Sequence, residues 1–147
     1  KFKTLSDATY DINEYLVDIA KKEGLAHGLA PIDGGVTVHL ACHARAQNMG
    51  AKAAELLRLI PDSKIAIIER CSGHGGTFGI MKETRDAAIK VRKPVLKQVE
   101  KAGHATVCSD CPLACKHIVE GLDDIGADNA PTRAPHPIEI FAQAYGF

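Results

Sequence analysis

Three short β-rich runs of this chain each lead to a cysteine, and this repeated arrangement restricts the fold more than any other feature. The runs and their cysteines are residues 36–41 with Cys42, residues 64–68 with Cys71, and residues 104–107 with Cys108. Segments with helical periodicity separate the runs. Strands that alternate with helices predict an α/β fold, in which a short, mainly parallel sheet is flanked by helices and the cysteines lie at the carboxyl ends of the strands.

Helices are predicted where apolar residues recur at helical spacing or where a proline or glycine marks an end. The predicted helices cover residues 11–23, 45–59, 81–101 with a kink or restart at Pro94, 111–122 and 137–145. Residues 123–135 are predicted to form a loop. The run 64–68 has no polar alternation, which is typical of a strand buried on both faces of a parallel sheet.

Length and composition fit a single compact domain over residues 1–147, because 46% of the residues are hydrophobic. Eighteen basic residues balance eighteen acidic ones, so the overall charge does not indicate a nucleic-acid partner. No run approaches the roughly 18 apolar residues of a transmembrane segment, and no signal peptide is recognisable. We therefore expect a cytoplasmic protein in a reducing compartment, where clustered thiols are typical of metal or redox sites.

Four of the five cysteines are predicted to share one metal site: Cys42, Cys71, Cys108 and Cys111. The carboxyl ends of parallel strands meet at one edge of a sheet, where ligands of α/β proteins bind. Cys111 joins this edge through its C-x-x-C spacing with Cys108. Four thiolates suit a tetrahedral zinc ion or an iron–sulfur cluster. The alternative for any cysteine is a small buried hydrophobic residue, and this alternative is favoured for Cys115.

The segment after Cys71 has the sequence Ser-Gly-His-Gly-Gly and carries few bulky side chains. Backbone N–H groups near Ser72 and Gly73 are therefore expected to approach a thiolate or sulfide and to hydrogen-bond it. The alternatives are a phosphate site or a plain tight turn, although no Gly-Lys-Ser/Thr follows as in a P-loop. Nearby, His43 and His74 are candidate donors to the centre or polar loop residues, and His39 is expected to be structural. A basic run on the helix 81–101 is expected to be a solvated face or a docking site for an acidic redox partner: Lys90, Arg92, Lys93 and Lys97.

These motifs together resemble the CCG cysteine-rich domain family, which includes the B subunit of heterodisulfide reductase and the C subunit of anaerobic glycerol-3-phosphate dehydrogenase. The matching elements are Cys42-His43, then Cys71-Ser72-Gly73-x-Gly75-Gly76, then Cys108-x-x-Cys111-Pro112, with 28 residues between Cys42 and Cys71 and 36 between Cys71 and Cys108. The segment 136–145 is similar to the tail of the glycerol-3-phosphate dehydrogenase group. Because that family usually carries two copies of the domain, the resemblance implies that this chain is a C-terminal fragment of a longer protein.

The resemblance implies an iron–sulfur cluster, [4Fe-4S] in type, in an electron-transfer module of a larger oxidoreductase. It implies redox partners that are flavoproteins, ferredoxin-like or quinone-linked, and through them a place at the inner face of the membrane. Ser72 replaces the second cysteine of the family's Cys-Cys-Gly doublet, which favours electron transfer over disulfide cleavage. Two alternatives stay open: a structural zinc domain, and a metal-free thiol–disulfide oxidoreductase that uses Cys108 and Cys111.

Overall fold

A three-stranded parallel sheet forms the centre of the fold, with strand order β2-β1-β3. The structure is a computed structural model that describes residues 1–128 and 130–147, so residue 129 of the predicted loop lies outside the described residues. The strands are β1 Val36–His39, β2 Ile65–Ile68 and β3 Thr106–Ser109. The helices of the described residues are α1 Phe2–Asp7, α2 Ile12–Lys22, α3 Cys42–Ala46, α4 Lys52–Leu57, α5 Arg85–Ala102, α6 Pro112–Asp124 and α7 Pro137–Ala144.

Helices pack against both faces of this sheet, which confirms the predicted α/β architecture. Helices α2, α4 and α7 enclose one core cluster, which includes Val38 and Phe141. Helices α5 and α6 enclose a second cluster with Val107 and Ile118. Helix α1 buries none of its residues. Among the described residues, no helix is both long and apolar enough to cross a membrane.

Burial within the sheet differs from the prediction for β2. This all-apolar strand lies at an edge, and Ile67 remains 37% exposed. The fully buried strand is β1, although two of its four residues are polar. Thr37 is accommodated there because its hydroxyl lies 3.2 Å from Nδ1 of His104, and His39 also has partners for both ring nitrogens. The prediction of a doubly buried β2 was wrong because strand order decides which strand is covered.

Three predicted helices are confirmed, and the residue before each one satisfies its first turn. Asp11 accepts a hydrogen bond from the backbone N–H of Asn13 at the start of α2. Cys111 occupies the same capping position before α6, and His136 forms a capping box before α7. Side chains at this position stabilise a helix because its first N–H groups have no partner within the helix.

Two helix predictions were wrong in detail. The helix predicted over 45–59 is replaced by α3, which already begins at Cys42, and α4, because Asn48 and Gly50 have φ values of 53° and 80° between them. Such left-handed backbone cannot continue a right-handed helix. The segment 81–101 becomes helical only at Arg85, and α5 then continues through Pro94 without a restart.

Arg92 of α5 is buried, contrary to the solvated face predicted for the basic run. It is only 2% exposed, and it donates to Oδ2 of Asp124 at 2.7 Å and to the carbonyl of His117 at 2.8 Å. Gly121 leaves the space that the guanidinium fills, since a Cβ there would overlap it. Arg92 therefore fastens α5 to α6, while Lys90, Lys93 and Lys97 are exposed as predicted.

Candidate metal centre

Three cysteine-bearing segments leave the sheet at the same edge. Cys42 and Cys71 each lie three residues beyond the end of their strand, β1 and β2, and Cys111 lies two residues beyond β3. The strands are parallel, and their register places their last residues side by side. All three segments therefore leave the sheet at the same position along the strands, as the predicted fold requires.

The five thiols differ in exposure. Cys42 and Cys71 are exposed, Cys111 is half-buried, and Cys108 and Cys115 are buried. Across residues 1–128 and 130–147, no three or more His, Cys, Asp or Glu side chains are grouped closely enough to hold a metal ion. The structure therefore gives three thiols a common edge, and the four-cysteine site stays a prediction.

The turn after Cys71 directs a backbone donor at its sulfur. The N–H of Gly73 donates to Cys71 Sγ at 3.4 Å, and the Ser72 hydroxyl accepts from the N–H of His74 at 3.3 Å. Gly73 has φ of +80°, and a Cβ at this position would overlap the carbonyl oxygen of Ala88 in α5. Glycine is therefore required for both the backbone conformation and the close contact with α5.

Cys111 is held at the positive end of α6. Its Sγ accepts a hydrogen bond from the N–H of Ala114 at 3.4 Å, and Pro112 follows as the first helical residue. Proline suits that position because its missing N–H would have no partner there. An N–H donor and a helix N-terminus at one sulfur are an arrangement that suits a negatively charged ligand.

Cys108 lies inside β3, because the strand continues to Ser109, one residue past this cysteine. It pairs with Val38 of β1, is fully buried and packs in the core beneath α2 and α4. Burial raises the pKa of the Cys108 thiol well above its ordinary value, and nearby Cys115 and Asp110 add to the effect. A bound cation would have to offset the free-energy cost of ionising this buried thiol before Cys108 could act as a thiolate ligand.

Cys115 has the surroundings of a structural cysteine. Its thiol is buried in the core between α5 and α6 and donates to the carbonyl of Val107 at 3.4 Å. Burial, together with nearby Cys111, raises the pKa of Cys115 to about 12. This thiol therefore stays protonated at neutral pH, as expected for a small buried residue.

The histidines of this edge occupy different environments. His43 is exposed beside Cys42. His74 is buried, with its ring centroid 6.2 Å from that of His117, and Nε2 of each ring has no hydrogen-bond partner within the described residues. His39 is 1% exposed and structural as predicted, and its ring nitrogens contact the segments that lead to the second and fourth predicted ligands.

Sequence reasoning missed two polar residues between Cys108 and Cys111. Ser109 accepts a hydrogen bond from the N–H of Cys111 at 3.3 Å. Asp110 accepts from Nδ2 of Asn13 in α2 at 2.6 Å, and burial with the nearby Asp11 carboxylate raises the pKa of Asp110. Both are the spacer residues of the C-x-x-C motif. The signal that could have drawn attention to them is that both are polar although they directly follow apolar residues of β3.

The chemistry of the donor set fits a thiolate-ligated centre. The edge presents soft sulfur donors on three segments, and two of these sulfurs already accept backbone N–H groups. Thiolates of this kind bind zinc and iron–sulfur clusters, and hydrogen bonds to the sulfurs tune them. Cys108 fits only if its buried thiol is deprotonated by a bound metal.

A family model described as "CCG: Cysteine-rich domain" matches residues 36–119. The chain belongs to the CCG cysteine-rich domain family. The match begins at β1 and ends in α6, so it contains the whole sheet and every cysteine of the chain. This confirms the resemblance drawn from the cysteine motifs, and no solved structure matches the chain.

Similar proteins of this family include named components of oxidoreductases. The chain is 31% identical to the C subunit of anaerobic glycerol-3-phosphate dehydrogenase of Escherichia coli strain K12 over 123 residues, 83% of this chain and 29% of that protein. It is 28% identical to the D subunit of dihydromethanophenazine:CoB--CoM heterodisulfide reductase of Methanosarcina acetivorans over 142 residues, 92% of this chain and 33% of that protein. Lactate utilization protein A of Bacillus licheniformis is 27% identical over 144 residues, 95% of this chain and 57% of that protein. The chain thus spans between about a third and just over half the length of these relatives.

Proposed function

We propose that this chain is an iron–sulfur electron-transfer module of a larger oxidoreductase. Its ligands are Cys42, Cys71, Cys108 and Cys111, and the centre they hold is a [4Fe-4S] cluster. The observation that carries the proposal is the common edge of the parallel sheet, where segments distant in sequence present cysteines within a family match. Relatives named as parts of a dehydrogenase and a reductase support a redox role.

In this proposal, the cluster supplies a one-electron carrier, and the chain supplies its sulfur ligands and their surroundings. Gly73 and Ala114 donate N–H groups to the sulfurs of Cys71 and Cys111, which favours the more negative state of a centre. The exposure of Cys42 and Cys71 leaves one side of the edge open to an electron donor or acceptor. We propose flavoproteins, ferredoxin-like domains or quinone-linked subunits as these partners.

Ser72 distinguishes electron transfer from disulfide cleavage within this proposal. It stands where the family doublet has a second cysteine, and its hydroxyl accepts the N–H of His74 within the turn. A buried hydroxyl used in this way stabilises the turn and supplies no additional thiolate. An ordinary four-cysteine cluster needs no fifth sulfur, so we propose that the centre transfers electrons and does not bind a disulfide substrate.

Anaerobic purification followed by iron, acid-labile sulfide and zinc analysis tests the proposal. We expect about four iron and four sulfide per chain, broad visible absorption and a paramagnetic signal on reduction, the composition of a cubane cluster. Replacing any one of the four ligands by serine should lower the iron content, whereas Cys115→Ala is the matched control and should retain it. A folded, colourless protein with one zinc per chain would instead support the structural zinc alternative.

The thiol–disulfide alternative is less well supported by the surroundings of Cys108. A thiol must ionise to attack a disulfide, and burial raises the pKa of Cys108 well above its ordinary value. Disulfide reductase activity that persists after complete removal of metal, and disappears in Cys108→Ser, would favour this alternative over an electron-transfer centre.

A further inference from the structure

A hydrogen-bond chain centred on a buried histidine joins the segments that carry Cys71 and Cys111. Its centre is His39, the last residue of the central strand, whose side chain is only 1% exposed. Nε2 of His39 lies 2.8 Å from the carbonyl oxygen of Arg70, and Nδ1 lies 3.1 Å from Oγ of Ser109. Oγ of Ser109 in turn lies 3.3 Å from the backbone nitrogen of Cys111.

The acceptor at Arg70 and the neutral ring of His39 together set the directions of these hydrogen bonds. The carbonyl of Arg70 can only accept, so Nε2 of His39 carries the proton and donates. Burial lowers the pKa of His39, which favours the neutral ring, and Nδ1 is then an acceptor. The Ser109 hydroxyl therefore donates to Nδ1 and accepts from the N–H of Cys111. In this arrangement each donor of the chain faces an acceptor.

Both ends of the chain are backbone groups at the predicted ligands. Arg70 directly precedes Cys71, and the N–H at the other end belongs to Cys111 itself. His39 lies between them, at the end of the central strand and three residues before Cys42. The loss of any of the three bonds would thus release one connection between the two segments, which follow different edge strands.

We propose that His39 and Ser109 are positioning residues that set the separation of Cys71 and Cys111 for the metal centre. This inference rests on the proposed function, because it assigns the two residues to the same site. Neither residue is proposed as a ligand. Their role is to hold backbone in place, as the residues that hydrogen-bond metal ligands do in other metalloproteins.

The opposite end of the sheet offers a matched control. There, Oγ1 of Thr37 lies 3.2 Å from Nδ1 of His104, so a side-chain hydrogen bond again joins β1 to the segment that contains β3. Thr37→Val removes this bond from a fully buried site with little change in volume. Ser109→Ala also removes one hydroxyl from a fully buried site of the same sheet, but at the cysteine edge.

The test compares Ser109→Ala, Ser109→Thr, His39→Gln and Thr37→Val after anaerobic reconstitution. We expect Ser109→Ala to lower the affinity for the centre by about 10- to 100-fold, the range typical of lost outer-shell partners, and to alter its paramagnetic spectrum. Ser109→Thr keeps the hydroxyl and should restore both properties. His39→Gln keeps the donor to Arg70 and loses the acceptor for Ser109, so it should resemble Ser109→Ala. Thr37→Val should retain the wild-type spectrum and iron content.

A second measurement separates this inference from the proposed function. In the metal-free protein, the Cys111 amide should exchange with solvent about 2- to 10-fold faster in Ser109→Ala than in the wild type, as expected for the loss of one neutral hydrogen bond. Wild-type iron content and spectrum in Ser109→Ala, or an equal loss in Thr37→Val, would overturn the positioning role. If the wild type itself binds no iron, the proposed function fails. The inference is then judged on Cys111 exchange, and an unchanged rate overturns it.

Discussion

At the scale of single residues, Gly73 is the position where the turn beside Cys71 tolerates substitution least. Gly73 and Gly76 both have positive φ, so alanine at either position costs about 1–2 kcal/mol in backbone strain. Only at Gly73 would the added methyl also overlap backbone of α5, whereas Gly76 faces open space. We expect Gly73→Ala to lower the melting temperature and the iron content far more than Gly76→Ala. Equal effects of the two variants would show that the contact with α5 is unimportant.

The thiols make a second prediction at this scale. Cys42 and Cys71 are exposed, whereas Cys108 and Cys115 are buried with raised pKa values. Alkylation proceeds through the thiolate, so the metal-free protein should label rapidly at the first pair and slowly at the second. Mass spectrometry of peptides after brief iodoacetamide treatment measures this order, and labelling in denaturant provides the full extent. Rapid native labelling of Cys108 would contradict its place inside β3.

The sequence allowed the common edge of the cysteines to be predicted, but it did not reveal the environment of each thiol. Parallel strands run in the same direction, so their carboxyl ends lie at one edge of the sheet. Strand signals before Cys42 and Cys71 were therefore sufficient to place these two cysteines at that edge. For Cys108, β3 ends one residue past the cysteine, so a predicted edge residue lies within the core. A residue inside a strand keeps its side chain on one face of the sheet, whereas a residue beyond the end of the strand can turn towards the edge.

At the scale of elements, a hydrogen bond connects α2 to the segment between Cys108 and Cys111. Asn13 of α2 is fully buried and donates to the Asp110 carboxylate at 2.6 Å. Asn13→Ala should lower the free energy of unfolding by about 1–3 kcal/mol, because it leaves a buried acceptor without its donor. Alanine has the higher helix propensity, so any loss of stability is a tertiary effect.

The control for this helix is Asp18→Asn. Asp18 forms an ion pair with Lys22 in the same helix, but its side chain is 42% exposed and that of Lys22 69%. Its loss should lower the free energy of unfolding far less than the loss of the Asn13 side chain, because solvent screens surface ion pairs. Urea unfolding of the metal-free variants measures the change in the free energy of unfolding for both substitutions. An unchanged stability in Asn13→Ala would show that α2 does not depend on Asp110.

Strand order is the element-scale property that the sequence did not reveal. Apolar β2 suggested the more buried strand, yet β1 with Thr37 and His39 is the central one. Polar residues can occupy a central strand when each has a partner, and those partners come from distant positions such as His104 and Ser109. A local pattern does not show which distant group will satisfy a buried side chain.

At the scale of the whole molecule, the buried residue His117 should make stability depend on pH. Burial and the nearby Arg92 guanidinium lower the pKa of His117, and His74 and Arg85 act in the same direction. Glu120 opposes them more weakly. The unfolded chain, with a histidine pKa of about 6.5, therefore binds this proton more readily than the folded chain. The stability contributed by neutral His117 is therefore fully present above about pH 6.5, and it is lost as the pH falls below this value.

Urea unfolding of the metal-free protein at several pH values between about 7.5 and 5.5 measures this dependence. The slope contributed by one such histidine approaches about 1.4 kcal/mol per pH unit at most. His117→Gln should reduce the loss on acidification, because glutamine does not titrate, whereas His27→Gln changes an exposed residue and should leave the loss unchanged. Asp110 has a raised pKa, so its protonation favours the folded state at lower pH and opposes the effect of His117 there. Burial also lowers the pKa of His39, which therefore adds to the loss in the wild type and in both variants. If the two variants behave alike, His117 does not contribute to the acid sensitivity of the fold.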